Sequence, residues 1–281
     1  MKSIASISEL RDARQKLRGS VGFVPTMGAL HEGHLSLVRK SNEFCDHTII
    51  SIYVNPTQFA ENEDLDSYPR ALEKDINLLS KLNVDILFVP ISSAMYSNNF
   101  STHVIEGLVT EGLETISRPH FFKGVATIVA KLFNIVNPTH AFFGEKDAQQ
   151  LQVIKKMVTD LNFPIEIISG PTVRESNGLA MSSRNNHLSL ESRERSQIIY
   201  RSLLYAQTLV EQGERNPIII KKVVKKMILS VDDIDIDYIS VSDNENLVEI
   251  EDLIQKSVLL SVAIKIRGTR LIDNITLSLS E

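Results

Sequence analysis

Val24-Pro25-Thr26-Met27-Gly28-Ala29-Leu30-His31-Glu32-Gly33-His34 decides how the chain is read. An apolar run, Val21 to Val24, enters a Pro-Thr-Met-Gly turn, and an amphipathic stretch, His34-Leu35-Ser36-Leu37-Val38-Arg39-Lys40, leaves it. This pattern predicts a strand, a tight loop and a helix N-terminus, an arrangement that turns backbone N–H groups and the positive helix end toward an anion. Two imidazoles beside such a site can donate hydrogen bonds to phosphate oxygens and supply a proton. A zinc protease would need His-Glu-x-x-His, with the two rings one helical turn apart, and here a glycine stands inside a shorter spacing. A phosphate-binding P-loop would need Lys and Ser or Thr after the second glycine, where His34 and Leu35 stand. The plainer alternative is a turn carrying two solvated histidines.

Outward from this stretch, short apolar runs alternate with helical patterns. Strands are expected at Val21–Val24, Thr48–Val54, Ile86–Val89, Ala141–Phe143 and Ile165–Ile168, and helices at His34–Phe44, Arg70–Leu82, Val125–Ile135 and Gln149–Leu161. Continuous runs such as Ile49-Ile50-Ser51-Ile52-Tyr53-Val54 suit strands buried on both faces of a parallel sheet. The expected class is therefore α/β, a Rossmann-like doubly wound parallel sheet over residues 1–175. After about Ser176 the pattern changes to long helices at Ser189–Gly213 and Pro217–Leu229, then strands near Ile234–Ile239, Val258–Ile266 and Leu271–Leu277. This is read as a smaller C-terminal α+β domain, residues 176–281.

Composition narrows the function. Thirty basic against thirty-five acidic residues leave a net charge of -5, which disfavours nucleic acid as main partner. The lysines 221, 222, 225 and 226 suit a solvated helix face, since Asp232, Asp233, Asp235 and Asp237 follow at once. A single cysteine, Cys45, excludes an intramolecular disulfide, and its place near a helix end suggests buried filler. No apolar run reaches membrane-spanning length and no signal-peptide h-region is present, so a cytoplasmic protein without membrane contact is expected.

Four other stretches place polar residues at predicted element ends. In Tyr53-Val54-Asn55-Pro56-Thr57-Gln58-Phe59, Asn55 and Gln58 are expected to face the crevice, although an Asn-Pro turn alone would account for Asn55. In Phe143-Gly144-Glu145-Lys146-Asp147-Ala148-Gln149-Gln150, Gly144 permits close backbone approach, Lys146 offers a point charge for phosphate, and Asp147 suits a helix N-cap. Asp147 and Gln150 should share a helix face. Gly178-Leu179-Ala180-Met181-Ser182-Ser183-Arg184-Asn185 gathers hydroxyls and a guanidinium. Asp64-Leu65-Asp66-Ser67-Tyr68-Pro69-Arg70 looks like a loop able to fold over the site. Asp75 is read as a surface carboxylate, with assistance to a metal ion as the alternative.

Together these segments resemble the pantothenate synthetase (pantoate–β-alanine ligase) family of the nucleotidyltransferase superfamily. The matching strings are PTMGALHEGH, VNPTQF, LDSYPR, FGEKDAQQL and GLAMSSRN, with FKGVATIVAKLFNIV and RLIDN besides, spread from Pro25 to Asn274. The His-x-Gly-His element is shared with other nucleotidylyltransferases and class I aminoacyl-tRNA synthetases; the ordered set is specific. The resemblance implies condensation of pantoate with β-alanine through pantoyl adenylate, with ATP as substrate and Mg2+ held through ATP oxygens and water.

By position it implies that Met27, Gly28, Ala29, Leu30, His31, Glu32, Gly33 and His34 line the ATP site. His31 and His34 meet its phosphates, and His34 is the proton donor. Gly144, Glu145, Lys146, Asp147, Val173, Met181, Ser182, Ser183 and Arg184 also contact ATP, with Lys146, Ser182 and Arg184 toward the phosphates. Gln58 and Gln150 hold pantoate, and Gln58 lies near β-alanine. No protein residue is assigned as a metal ligand. A homodimer is implied. One departure is visible: the family reads Arg-Pro-x-His-Phe-Arg-Gly-Val where this chain has Arg118-Pro119-His120-Phe121-Phe122-Lys123-Gly124-Val125. Two other functions compete with this reading. One is a nucleotidylyltransferase that stops after AMP transfer. The other is an RNA-binding or regulatory module descended from a synthetase, which the acidic balance and the lack of a tRNA-binding extension disfavour.

Overall fold

The computed structural model describes residues 1–60, 63 and 65–279. The first half of the chain builds β1 (Lys2–Ile4), α1 (Ile7–Lys16), β2 (Val21–Thr26), α2 (Glu32–Phe44), β3 (His47–Ile52), α3 (Leu72–Leu79) and β4 (Ile86–Phe88). It continues through α4 (Ser92–Met95), α5 (Glu114–Ser117), α6 (Phe121–Val136), β5 (His140–Gly144), α7 (Ala148–Asp160) and β6 (Glu166–Gly170). The six strands are parallel in the order β1-β4-β3-β2-β5-β6. From β2 the chain winds outward through β3 and β4, then returns to place β5 on the other side of β2. That reversal is the switch point at which open α/β sheets hold ligands.

The ladder shows where the sheet opens. β2 pairs with β3 as far as Thr26↔Ile52, but with β5 only at Gly22↔His140 and Phe23↔Ala141. Beyond Phe23 the two strands part, and the carboxyl ends Pro25-Thr26 and Phe142-Phe143-Gly144 become the two banks of a cleft. Apolar side chains fill both faces of the sheet: Phe23, Ile49, Phe88 and Phe133 on one, Val24, Ile50, Leu87 and Phe142 on the other, all fully buried or nearly so.

The second half adds α8 (Leu190–Arg195), α9 (Ile198–Glu211), α10 (Pro217–Ile228), β7 (Ile234–Asp243), β8 (Val258–Ile266) and β9 (Thr269–Leu277). β7-β8-β9 form an antiparallel sheet with its own core, in which Leu203, Ile220, Val224, Leu260, Val262 and Ile264 are buried. The predicted strands and helices of both halves are present, with shifted ends. One expected helix is divided: Ser189–Gly213 is α8 and α9 separated at Ser196-Gln197. There Ser196 Oγ turns back onto the Ser192 carbonyl (2.7 Å), and the chain tightens to i→i+3 bonds from Gln197 to Glu194 and from Ile199 to Ser196. The short edge strand β1 and α1, capped by Ser6, add to the expected elements, and α1 packs Ile7, Leu10, Ala13 and the following Leu17 onto the core. No helix among the described residues is long and apolar enough to cross a membrane.

Candidate active site

The cleft between β2 and β5 holds about 1370 Å3 of empty space, counting the solvent at its mouth, and a smaller chamber of about 780 Å3 on the same basis adjoins it, reaching under the second domain. The β2–α2 loop forms its floor. Gly28 (φ 82°) and Ala29 (φ 49°) both take left-handed backbone, which reverses the chain within two residues. The loop is held from below by Asp75 of α3, whose carboxylate accepts from Ala29 N–H (2.9 Å) and Leu30 N–H (2.8 Å). Asp75 is 1% exposed, so the expectation of a surface carboxylate is corrected: it is a buried clamp on the loop. Its burial pushes the carboxyl up, and the two N–H bonds pull the other way.

Above the clamp, α2 begins in a capping box built from histidines. His31 Nδ1 accepts from Gly33 N–H (3.2 Å) and His34 Nδ1 from His31 N–H (3.4 Å). These bonds engage the His31 and Gly33 amides at the helix start, and the imidazoles add donors of their own to the site. With both Nδ1 atoms accepting, the ring proton of each neutral imidazole is on Nε2. The rings lie 4.1 Å apart between centroids. Burial, with Lys146 beside it, pushes His31 down to about 4; burial, His31 and Lys146 push His34 down to about 3. Both are neutral donors at neutral pH.

The opposite bank is the turn Glu145–Asp147 between β5 and α7. Lys146 opens on the cleft with its side chain 18% exposed, 4.0 Å from Asp147. Asp147 and Gln150 share the cleft face of α7, as expected, but the Asp147 side chain makes no cap bond to that helix. The adjacent glutamines differ in their duties. Gln149 is buried and tied to Val109 O (2.9 Å), Gly112 O (3.2 Å) and Glu114 N–H (3.1 Å). Gln150 lines the cleft, and its amide has no protein partner among the described residues.

A third side comes from the turn Pro56–Gln58 packed on α6. Gly124 makes that approach possible, since a Cβ there would strike the Thr57 carbonyl. Asn55 is 1% exposed and its amide is engaged, donating to Gly124 O (3.1 Å) and accepting from Thr57 Oγ1 (3.0 Å) and Tyr96 OH (3.0 Å). The turn reading thus accounts for Asn55, while Gln58 presents an amide with no protein partner among the described residues to the cleft. Val125, Ile128, Val129 and Leu132 of α6 supply an apolar wall.

The fourth side is the link to the second domain. Met181 N–H donates to Val173 O (2.9 Å), which brings these two predicted ATP contacts together, and Ser182 Oγ caps the turn Ser183–His187 by accepting from Arg184 N–H (3.3 Å). Ser182, Ser183 and Arg184 line the cleft. Tyr68 reaches across to Ser183 Oγ (3.2 Å), so the 65–70 loop does fold over the site; Asp64 lies outside the described residues.

Of the remaining predicted ATP contacts, Met27, Gly33 and Gly144 line the cleft, and Gly28, Ala29, Leu30, Glu32 and Glu145 do not. Glu32 pairs with Arg39 and Glu145 accepts from Ser169 Oγ (2.7 Å). At the departure, Phe121 lines the cleft beneath the Arg118 guanidinium, 3.9 Å from its ring centre, whereas His120 is exposed ahead of α6 and outside the cleft lining. Arg118 is held by Glu63 (2.6 Å to each oxygen) and donates to the Gln58 carbonyl (3.0 Å). Arg118 and Asn274 lie in strings the family shares, but nothing in the sequence alone sets a role for either side chain.

The family model for pantoate-beta-alanine ligase matches residues 2–276. The chain belongs to the pantoate–β-alanine ligase family. It is 48% identical over 277 residues to a pantothenate synthetase of Thermosipho africanus, covering 98% of this chain and 99% of that one. Among solved structures it matches this ligase from Thermus thermophilus with a TM-score of 0.95 and 42% identity, over 99% of this chain and 100% of that one. The Francisella tularensis ligase, solved with beta-gamma ATP and beta-alanine, matches with a TM-score of 0.80 and 33% identity, over 98% of this chain and 97% of that one. The two-domain α/β architecture is that of the family's solved members.

Proposed function

We propose that the cleft beyond β2 and β5 is where this chain carries out its family's reaction, the ATP-dependent condensation of pantoate with β-alanine, and that its two ends divide the substrates. A carboxylate does not condense with an amine at neutral pH because hydroxide leaves poorly. The carboxylate oxygen therefore attacks the α-phosphorus of ATP, and the bond to pyrophosphate breaks. The amine of β-alanine then attacks the acyl carbon of pantoyl adenylate, a C–N bond forms, and AMP departs with the bonding pair. Positioning and charge stabilisation dominate such a step.

The observation that carries the assignment is that two Nε2–H donors, one ammonium and two unengaged amides open on a single cleft. His31 and His34 donate to phosphate oxygens. Because His34 is neutral in the free site and its Nδ1 accepts the His31 N–H, its Nε2–H is the hydrogen-bond donor it offers to a phosphate oxygen. Lys146, Ser182 and Arg184 complete the phosphate contacts, and Val173 and Met181 bound the nucleotide. Pantoate carries two hydroxyls, a carboxylate and two methyl groups. Gln58 and Gln150 suit the polar groups and the α6 wall suits the methyls, with β-alanine entering beside Gln58.

Asp147 is the one carboxylate among the described residues that line the cleft. That donor set fits Mg2+ carried on ATP oxygens and water, with Asp147 the carboxylate that would assist; the ion would offset phosphate charge. The division at residues 175 and 176 is supported by the second core beginning at Leu179. A cytoplasmic homodimer is the assembly we infer from the family. The deciding experiment is exchange of labelled pyrophosphate into ATP. It should require pantoate, and amide should form only after β-alanine is added; exchange without pantoate, or no amide, would refute the reading.

A further inference from the structure

The RLIDN string on β9 contributes Asn274, whose side chain leaves the second domain and enters the turn that carries Lys146. Its Nδ2 donates to the Glu145 carbonyl (3.1 Å) and to the Lys146 carbonyl (2.8 Å). These two carbonyls belong to different peptide units, the one before Lys146 and the one after it. A peptide unit is planar, so holding both units fixes the two soft dihedrals between them, which are those of Lys146 itself. The direction in which the lysine side chain leaves the backbone is thereby set by a residue of the other domain.

Asn274 is itself held from behind. Its N–H donates to Asp273 Oδ1 (2.9 Å), and the Asp273 carboxylate, 3% exposed, receives Arg174 through 2.6 and 2.9 Å bonds. Arg174 lies against the Tyr200 ring, 3.7 Å from its centre. A chain of contacts therefore runs from α9 through Arg174 and Asp273 to the Asn274 backbone N–H. Both hydrogens of the Asn274 amide nitrogen are directed at one turn, whereas another inter-domain amide contact, Gln152 Nε2 to Asn244 O (2.8 Å), touches no residue of the cleft.

We propose that Asn274 is a positioning residue for ATP: by clamping both peptide units that flank Lys146, it aims that ammonium at the phosphates. The proposal rests on Lys146 being an ATP contact. It differs from a purely structural link between domains, which would affect stability or all substrates alike.

The test measures pantoate-dependent pyrophosphate exchange, with KM for ATP and for pantoate determined separately, in Asn274→Ala, Lys146→Ala, the double variant and Gln152→Ala. Removing one to two ordinary hydrogen bonds should raise the ATP KM of Asn274→Ala by about tenfold and leave the pantoate KM within about twofold. Gln152→Ala should change neither. The double variant should be no worse for ATP than Lys146→Ala alone, because the two losses share one ammonium. Equal shifts in both KM values, an unchanged ATP KM, or additive losses would overturn the positioning role. If Lys146→Ala leaves ATP use intact, the assignment of Lys146 falls, and the proposal with it. If alanine at 274 prevents folding, Asn274→Ser, whose hydroxyl can satisfy one carbonyl at most, should show the same selective shift at smaller size, and its absence would overturn the proposal equally.

Discussion

Lowering the pH of the ligand-free protein from about 7.5 to about 5 should destabilise it through His31 and His34. In the unfolded chain both imidazoles take up protons near their ordinary value of 6.5, whereas in the folded site His31 is pushed down to about 4 and His34 to about 3. Between those values the unfolded state binds more protons, so folding stability falls as pH falls, and above about 6.5 the two groups contribute no pH dependence. At pH 5 each histidine lies about 1.5 pH units below its unfolded value and still above its folded one. At about 1.4 kcal/mol per unit, each costs about 2 kcal/mol. The cause is burial of both rings, to which Lys146 adds, and in the folded site each Nδ1 also accepts a backbone N–H. Urea unfolding at several pH values, on the wild type and on His31→Asn and His34→Asn, measures the effect. Asparagine keeps a short acceptor at the helix start and does not titrate. Each variant should lose about 2 kcal/mol of the stability change between pH 7.5 and 5. Variants with the wild-type pH dependence would show that the pair is not held neutral by the fold.

Asp75→Asn should lower stability by about 2–4 kcal/mol, because one charge-assisted bond is lost and an amide N–H₂ faces the N–H of Ala29 or Leu30. Urea midpoints measure this, and pyrophosphate exchange should fall as well, since the loop below His31 and His34 is released. His120→Ala should leave pantothenate synthesis within about threefold of wild type, as an exposed imidazole outside the cleft contributes little. A large drop in turnover with folding intact would mean that this histidine enters the site despite Phe121 occupying the wall.

The parallel sheet was legible because its central strands are apolar runs, and the cleft was legible because glycines and polar residues cluster at strand ends. Val21–Val24, Ile49–Ile52 and the loop from Met27 to His34 all follow from local pattern. Features that depend on contacts distant in sequence were not. Nothing near Asp75 distinguishes it from a solvated carboxylate on a helix; only the fold brings it under Ala29 and Leu30, more than forty residues earlier. The same holds for Gln149 and Gln150, identical in type and adjacent, of which one closes a buried loop and the other faces the cleft. The division of Ser189–Gly213 arises from serine hydroxyls competing for backbone carbonyls, without a proline or glycine to mark it.

The contact between Asn274 and the Lys146 turn also has a consequence in time. The two residues are 128 positions apart, so at about 5–20 residues per second the ribosome takes roughly 6 to 25 s to deliver the amide after it has made the lysine. Five of the six parallel strands precede that interval and the sixth is made early in it, so the first core can close before it ends. A nascent chain can thus be largely folded in its first domain while the turn that carries Lys146 still lacks the Asn274 contact, which forms only when β9 arrives.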